Sequence, residues 1–302
     1  MTATEATAYN YVRRGIARTR AELARVMCVS RPTASTVTES LISSGLLRDG
    51  GKCRSSGGRA PTLLIPRPDA FSLIGVDLTD AGRIFGVRVN ALGDVIGRAQ
   101  GSSAPEFAER TAAEILAIWN RLDPDFTALG IGIAVGHNSI EGSVLTKMLR
   151  RQLIGKYIHI AERLTAAALS EGFRGGAKSE RNYLLLSLGD TLESVICIDG
   201  RPFAGTHGAA GDLYRLPGTA AALAAESPVA TAAQCAFVLK CLLAVLDPGA
   251  VVLAGRFSDD PNGELPLLLE RHLCMFDCRI VTAKFGEFSA ARGAALQTHF
   301  SI

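Results

Sequence analysis

The sequence predicts two fold classes in series: a small α+β helix-turn-helix with a wing, then a larger α/β module built in two halves. Three observations carry this reading. Residues 19–45 show two short helical periods around a tight turn. A glycine-rich basic loop between two apolar runs follows at 46–65. From Phe71 onward buried strands alternate with helical stripes, twice over. The length of 302 residues fits about two domains at ~150 residues each.

In the first unit, residues 20–27 place Leu23 and Met27 at helical spacing, and Cys28-Val29 interrupts the period. Ser30 is an N-cap, Pro32 is tolerated in the first turn, and Ala34, Val37, Leu41 and Ile42 form one apolar stripe ending near Gly45. The opposite face offers Arg31, Thr33, Ser35, Thr36 and Glu39. Such short polar groups reach base edges and phosphates when a recognition helix lies in a major groove. Residues 46–48, 49–59 and 62–65 then read as strand, glycine-rich basic loop and strand, which is a wing. Its Lys52, Arg54 and Arg59 suit phosphates or a minor groove. With Arg20 and Ser30 these side chains make up the expected DNA-contacting set: Arg20, Ser30, Arg31, Thr33, Ser35, Thr36, Lys52, Arg54 and Arg59. An ordinary helical hairpin is the plain alternative. Charge favours the DNA reading, because residues 1–67 hold 11 Lys and Arg against four acids, a local +7, while the remainder is −4 within a total of +3.

The second module opens as a meander. Residues 72–78, 83–89 and 94–99 read as strands, the last two joined by the turn Asn90-Ala91-Leu92-Gly93. A helix at 106–122 carries Phe107, Ile115, Ile118, Trp119 and Leu122 on one period, and a strand returns at 129–135. A strand at 157–160 and a helix at 162–172 follow. The second half begins with strands at 183–188 and 194–198, turning at Asp199-Gly200. Ser227 with Pro228 opens a long apolar helix to Leu246, stopped by Asp247-Pro248-Gly249 before a strand at 251–254.

Apolar residues form 48% and charged residues 20% of the chain, which excludes disorder and collagen. The richest apolar run, 230–246, is broken by Gln234 and Lys240 and falls short of the roughly 20 residues that span a bilayer. No basic flank precedes an apolar segment at the start, so the expected location is the cytoplasm. Seven scattered cysteines without a CxxC pair suggest reduced thiols and no metal site.

Several segments together resemble the ROK group (repressors, open reading frames and sugar kinases). They are Gly58-Arg59-Ala60-Pro61, Ile74-Gly75-Val76-Asp77-Leu78, Gly130-Ile131-Gly132-Ile133 and Ala166-Ala167-Ala168-Leu169-Ser170-Glu171. Further on come Gly205-Thr206-His207-Gly208-Ala209-Ala210-Gly211-Asp212, the run from Asp247 to Gly255, and Gly293-Ala294-Ala295-Leu296. Their order along nearly the whole chain carries the resemblance. It implies an α+β winged helix-turn-helix at 1–67 and, at 68–302, an α/β actin-like (ribonuclease H-like) two-lobed sugar kinase fold with lobes of about 68–180 and 181–302.

The kinases of this group need phosphate-binding turns and an acid that accepts the sugar hydroxyl proton. This chain departs from each. Asp77 is followed by Leu78-Thr79-Asp80 instead of two glycines and a Thr. The Asn-Asp pair that supplies the base is Glu162-Arg163, and Arg is no base at neutral pH. The second phosphate turn reads Gly189-Asp190-Thr191, and the adenosine-side Gly-Gly is Gly255-Arg256. The sugar-binding Glu and His align with Asp212 and Arg215, and the Cys-rich zinc loop after them is missing. The expectation is a repressor whose second module serves dimerisation and senses a sugar or sugar phosphate through Asn138, Arg163 and Asp212, or serves as a scaffold only. An internal pair of Arg163 with Asp77 or Asp212 would fill the old catalytic site. Expected partners are a double-stranded DNA operator and a second copy, with no membrane and no cofactor. The alternative is a sugar kinase using Asp190 or Glu162 as a shifted base.

Overall fold

The computed structural model describes residues 1–52, 60–80, 82–102, 107–136, 142–189, 191–216, 219, 224, 227–257 and 263–300, without the side chains of Thr79, Asp80, His299 and Phe300. The chain starts with three helices, α1 (Ala3–Arg13), α2 (Arg20–Val26) and α3 (Arg31–Ser43), and a hairpin of β1 (Leu47–Lys52) and β2 (Thr62–Pro66). Helix α1 goes beyond the sequence expectation. A reciprocal capping box starts it, with Thr2 accepting from the Glu5 amide and Glu5 accepting from the Thr2 amide. Tyr9 and Val12 then bury against Leu23, Leu41, Leu47 and Leu64. The apolar stripe of α3 also differs from expectation: Ala34, Thr38 and Leu41 are buried, whereas Val37 and Ile42 are half-buried. Thr38 is tolerated inside because its hydroxyl donates to the Ala34 carbonyl at 2.7 Å.

Two five-stranded sheets follow. The first comprises β3 (Ser72–Asp80), β4 (Arg83–Asn90), β5 (Val95–Gly101), β6 (Gly130–Val135) and β7 (Tyr157–Glu162), in the order β5-β4-β3-β6-β7. The second comprises β8 (Tyr183–Leu188), β9 (Leu192–Ile198), β10 (Arg201–Pro202), β11 (Ala250–Gly255) and β12 (Arg279–Thr282), in the order β10-β9-β8-β11-β12. Both repeat one plan, an antiparallel meander on one side of the founding strand and two parallel strands on the other. The outer face of the first sheet is covered by α4 (Ala108–Leu122) and α5 (Gly142–Gln152), with Ile115, Ile118, Trp119 and Leu145 buried. The second sheet is covered by α7 (Pro228–Leu246) and α8 (Glu264–His272).

Between the sheets lie α6 (Arg163–Arg174) and α9 (Ser289–Phe300). Their small residues permit close approach. A Cβ on Gly293 would strike the Ala166 carbonyl, so only glycine lets α9 cross α6 at this distance. The expected division near residue 180 assigns α9 to the second lobe, yet its Ala291 and Ala295 pack on Leu73, Val87 and Val89 of the first sheet. Glu171 is fully buried and satisfied, accepting from the amides of Gly176, Lys284 and Phe285 and from the Ser289 hydroxyl. This carboxylate ties the end of α6 to the start of α9.

The helical unit is joined to the first lobe through α1. Arg13 is 3% exposed. Its Nη1 donates to the Ala91 carbonyl at 3.2 Å, where the Tyr9 hydroxyl also donates at 3.3 Å. The guanidinium lies 4.6 Å from the Phe173 ring centroid. A second buried arginine, Arg292, lies 5.8 Å from that ring and donates to Gly93 and Ser170. Burial pushes the pKa of each guanidinium down to about 10.

Helix α7 is long and apolar enough to cross a membrane by length and composition. Its Thr231, Ala232, Cys235, Ala236, Val238, Leu239 and Leu243 are instead buried, most of them in the core of the second lobe. The six described cysteines are free thiols, and Cys53 lies outside the described residues.

Candidate nucleic-acid interface and inter-lobe cleft

Two places collect the residues singled out by the sequence. The first is the outer face of α3. Thr19 caps α2 by accepting from the Glu22 amide, and Ser30 caps α3 by accepting from the Thr33 amide. The Ser30 and Thr33 hydroxyls are 2.7 Å apart. Between the helices Cys28 takes φ +54°, a left-handed turn that few non-glycine residues adopt. On α3, Arg31, Thr33, Thr36 and Glu39 are exposed and Ser35 is half-buried. Glu5 bonds Ser40 at 2.6 Å and so fixes α1 against α3. Arg20 is occupied differently: its Nη1 pairs with Asp49 at 3.3 Å, which fastens α2 to β1. Lys52 is exposed at the end of β1, beyond an irregularity between Asp49 and Lys52. Arg54 and Arg59 lie outside the described residues, as does the rest of the wing tip. Among the described residues Arg25 of α2, Arg31 of α3, and Arg48 and Lys52 of β1 are exposed cations without an ion pair.

The second place is a cleft of about 460 Å³ between the lobes. The register of the first sheet builds one wall. Asp77 of β3 stands beside Ala134 of β6, and Ala134 beside Ala161 of β7, so Asp77 lies one row before Glu162, where α6 begins. Parallel strands are ~4.8 Å apart, and a long side chain at the start of α6 spans the two intervals back to β3. Arg163 does this, with Nε 3.8 Å from Oδ2 of the buried Asp77. Glu162 turns back on its own helix, accepting from the amides of Leu164 at 2.8 Å and Thr165 at 2.7 Å. A carboxylate thus holds the positive end of α6, where a phosphate would otherwise be attracted.

The other wall comes from Gly189, Thr191, Glu193 and Ser194 at the β8–β9 turn and from the loop ending at Asp212. Gly211 has φ +96°, and a Cβ there would strike the Ser194 carbonyl. The Ser194 amide donates to Gly211 at 3.0 Å and holds the loop in place. Asp212 pairs with Arg215 at 3.3 Å, so of the two expected partners Arg163 faces Asp77. Asn138 and Asp190 lie outside the described residues. Among the described residues no three His, Cys, Asp or Glu side chains gather as a metal-binding group. Sequence reasoning missed Glu162 as a cap. An acid immediately before the apolar period of α6 was the available signal.

No protein-family profile matches the chain. The xylose repressor of Caldicellulosiruptor bescii is 28% identical over 220 residues, covering 64% of this chain and 53% of that protein. The xylose repressor of Bacillus spizizenii is 23% identical over 211 residues, covering 64% and 55%. The chain thus spans about half the length of the curated relatives it matches. Among solved structures, a ROK family transcriptional regulator described as a homologue of the E. coli MLC protein superposes with a TM-score of 0.72 at 17% identity, over 99% of this chain and 97% of that one. The ROK hexokinase of Thermus thermophilus gives 0.63 at 18% identity, over 76% and 99%. These structures establish the fold: the second module is the actin-like sugar kinase fold of ROK proteins. The resemblance read from the sequence holds.

Proposed function

We propose that the chain is a DNA-binding transcriptional regulator, a repressor of sugar-related genes, acting in the cytoplasm as a homodimer with a kinase-like module that has lost catalysis. The observation that carries this reading is the joint state of the two sites. The α3 face presents Arg31, Thr33 and Thr36 outward beside unpaired cations, as a recognition helix would. In the cleft, Arg163 stands where a kinase needs a base, and Glu162 is bonded to two helix amides. Losing the base alone costs about two to four decades in rate. Similarity to xylose repressors supports the same reading.

The cleft volume falls within the range of small-molecule pockets. Its charged lining is Glu162, Glu193 and Asp212 against Arg163, a balance that favours a neutral pentose or hexose over a sugar phosphate. Capture of genomic fragments by the purified full chain, at two salt concentrations, tests the regulator. A few palindromic sites with half-sites about 34–36 Å apart or a multiple are expected, with recovery falling steeply as salt rises. Recovery of nothing at low salt overturns it. Incubation with ATP and glucose, N-acetylglucosamine or N-acetylmannosamine tests the loss of catalysis, and measurable ATP turnover overturns that part.

A further inference from the structure

Two consecutive arginines at the end of α1 reach different lobes. Arg13 is the last helical residue and Arg14 the C-cap. Arg13 is held by the first lobe, through the Ala91 carbonyl of the β4–β5 turn and the Phe173 ring near the end of α6. Arg14 is half-buried against the second lobe, where a Cβ on Gly200 would stand 2.8 Å from its Nη2. Gly200 lies in the β9–β10 turn at φ +73°, and its missing side chain leaves the guanidinium its seat. We infer that Arg13 and Arg14 form a clasp across the two lobes, through which the opening of the cleft and the seating of the helical unit govern each other.

Both ends of the clasp are anchored. On the second lobe, Arg181 pairs with Asp199 at 2.6 Å and Asn182 accepts from the Asp199 amide at 3.0 Å. The Gly200 amide donates to the Arg181 carbonyl at 2.6 Å. Residues 181–182 lead from α6 into β8, so the turn moves with the segment that joins the lobes. On the first lobe, Arg292 of α9 donates to Gly93 at 2.9 Å and Arg174 pairs with Asp94 at 2.7 Å, which fixes the β4–β5 turn.

Helix α6 connects the clasp to the cleft. Arg163 faces Asp77 at its start, and Phe173 holds Arg13 ~15 Å further along the axis. A rotation between the lobes that widens the cleft therefore changes the gap that Arg13 and Arg14 bridge. Their Cα atoms stay ~3.8 Å apart, so the clasp cannot stretch. Either the lobes hold their angle or one arginine leaves its seat. Arg13 is 3% exposed and hydrogen-bonded, whereas Arg14 has no ion pair among the described residues, so Arg14 gives way first. In a DNA-binding regulator, the reading on which the purpose of the clasp rests, whatever fixes the lobe angle also fixes where α3 points. Such coupling is reciprocal, so DNA held by α3 acts back on the cleft.

Hydrogen exchange with mass spectrometry on the full chain, without DNA or sugar, reads the clasp. Arg14→Ala is expected to speed exchange about tenfold in residues 198–203 and, at a distance, at Leu164, Thr165 and Ser194, whose amides bond within the cleft walls. The centre of β4 should exchange as in wild type. Gly200→Ala sets a methyl against the guanidinium and is expected to give the same pattern. It decides alone should Arg14→Ala lose its unfolding transition. Faster exchange confined to 198–203 overturns the coupling, and so does wild-type exchange in both variants. Added operator DNA should slow exchange at Leu164, Thr165 and Ser194 in the wild type and not in Arg14→Ala; bound DNA that leaves these amides unchanged in the wild type overturns the coupling too. A chain that binds no DNA defeats the regulator reading and leaves the first comparison standing, so the two fail separately.

Discussion

Replacing Arg13 with Ala tests the joint between the helical unit and the kinase-like module. The side chain donates to Ala91, stacks on Phe173 and fills the space beside Tyr9, all at 3% exposure. A charged donor to a carbonyl contributes about 1.5–3 kcal/mol net. A desolvated cation–π contact adds about 2 kcal/mol, and the hole left by the stem costs about 2 kcal/mol more. Against these, burial lowers the guanidinium pKa to about 10, a penalty of about 3 kcal/mol for keeping the charge. Arg13→Ala is therefore expected to lose about 2–4 kcal/mol. At about 2–4 °C per kcal/mol this lowers the unfolding temperature by about 4–15 °C. Differential scanning calorimetry should show the transition broadening or splitting as the helical unit detaches. Arg13→Met keeps most of the packing and sheds the penalty, so it should stay within about 1 kcal/mol of wild type. An Arg13→Ala protein with an unchanged single transition refutes the reasoning. Equal damage from Arg13→Met moves the contribution from packing to charge.

Asp123→Ala removes the acceptor of the Ala128 amide and Thr127 hydroxyl and leaves Arg88 without its carboxylate, so urea unfolding should show a loss of about 3–5 kcal/mol. Burial opposes ionisation of Asp123, but the bonds from Ala128 and Thr127 outweigh it and hold the pKa below 3.8. Its contribution is thus present above pH 3.8 and is lost as pH falls through the lowered native value, so the acid limb of the wild-type stability profile should flatten in the variant. Arg31→Ala is expected to weaken operator binding about 5- to 100-fold by fluorescence anisotropy. Lys52→Ala, at the end of β1, should instead lower the salt slope by about one; unchanged affinity in Arg31→Ala removes α3 from the groove, and an unchanged slope in Lys52→Ala removes the hairpin from the backbone. Gly293→Ala forces α9 away from α6 and should cost about 2–3 kcal/mol in urea unfolding; a variant as stable as wild type shows that the crossing can relax.

Local signals in the sequence were reliable wherever a side chain acts on its own backbone. Ser30 and Ser227 cap their helices, Asp199-Gly200 turns with positive φ at both residues, and Asp247 ends α7 in a left-handed conformation. Asn90 accepts from the amides of Leu92 and Asp94 within the expected turn. Elements whose signal is weak or long-range stayed hidden. Helix α5 is polar over most of its surface and buries only Leu145 and Leu149, and α9 is a run of small residues that makes sense only once α6 lies against it. The cleft was legible in part. The change to Arg at position 163 announced an occupied catalytic site, but its choice of Asp77 over Asp212 follows from strand register, which a single sequence does not contain.

The placement of α9 sets an order on folding. Residues 72–90 reach the ribosome exit more than 190 residues before the helix that covers Leu73, Val87 and Val89. Until then one face of the first sheet has no lid, and its strands must wait as a partly dressed intermediate. Every strand of both sheets precedes α9 in the chain, so this face of the first sheet is covered only once the whole chain is present. Lesions near residue 293 should therefore appear as failures of the N-terminal lobe, at the opposite end of the chain from the change itself.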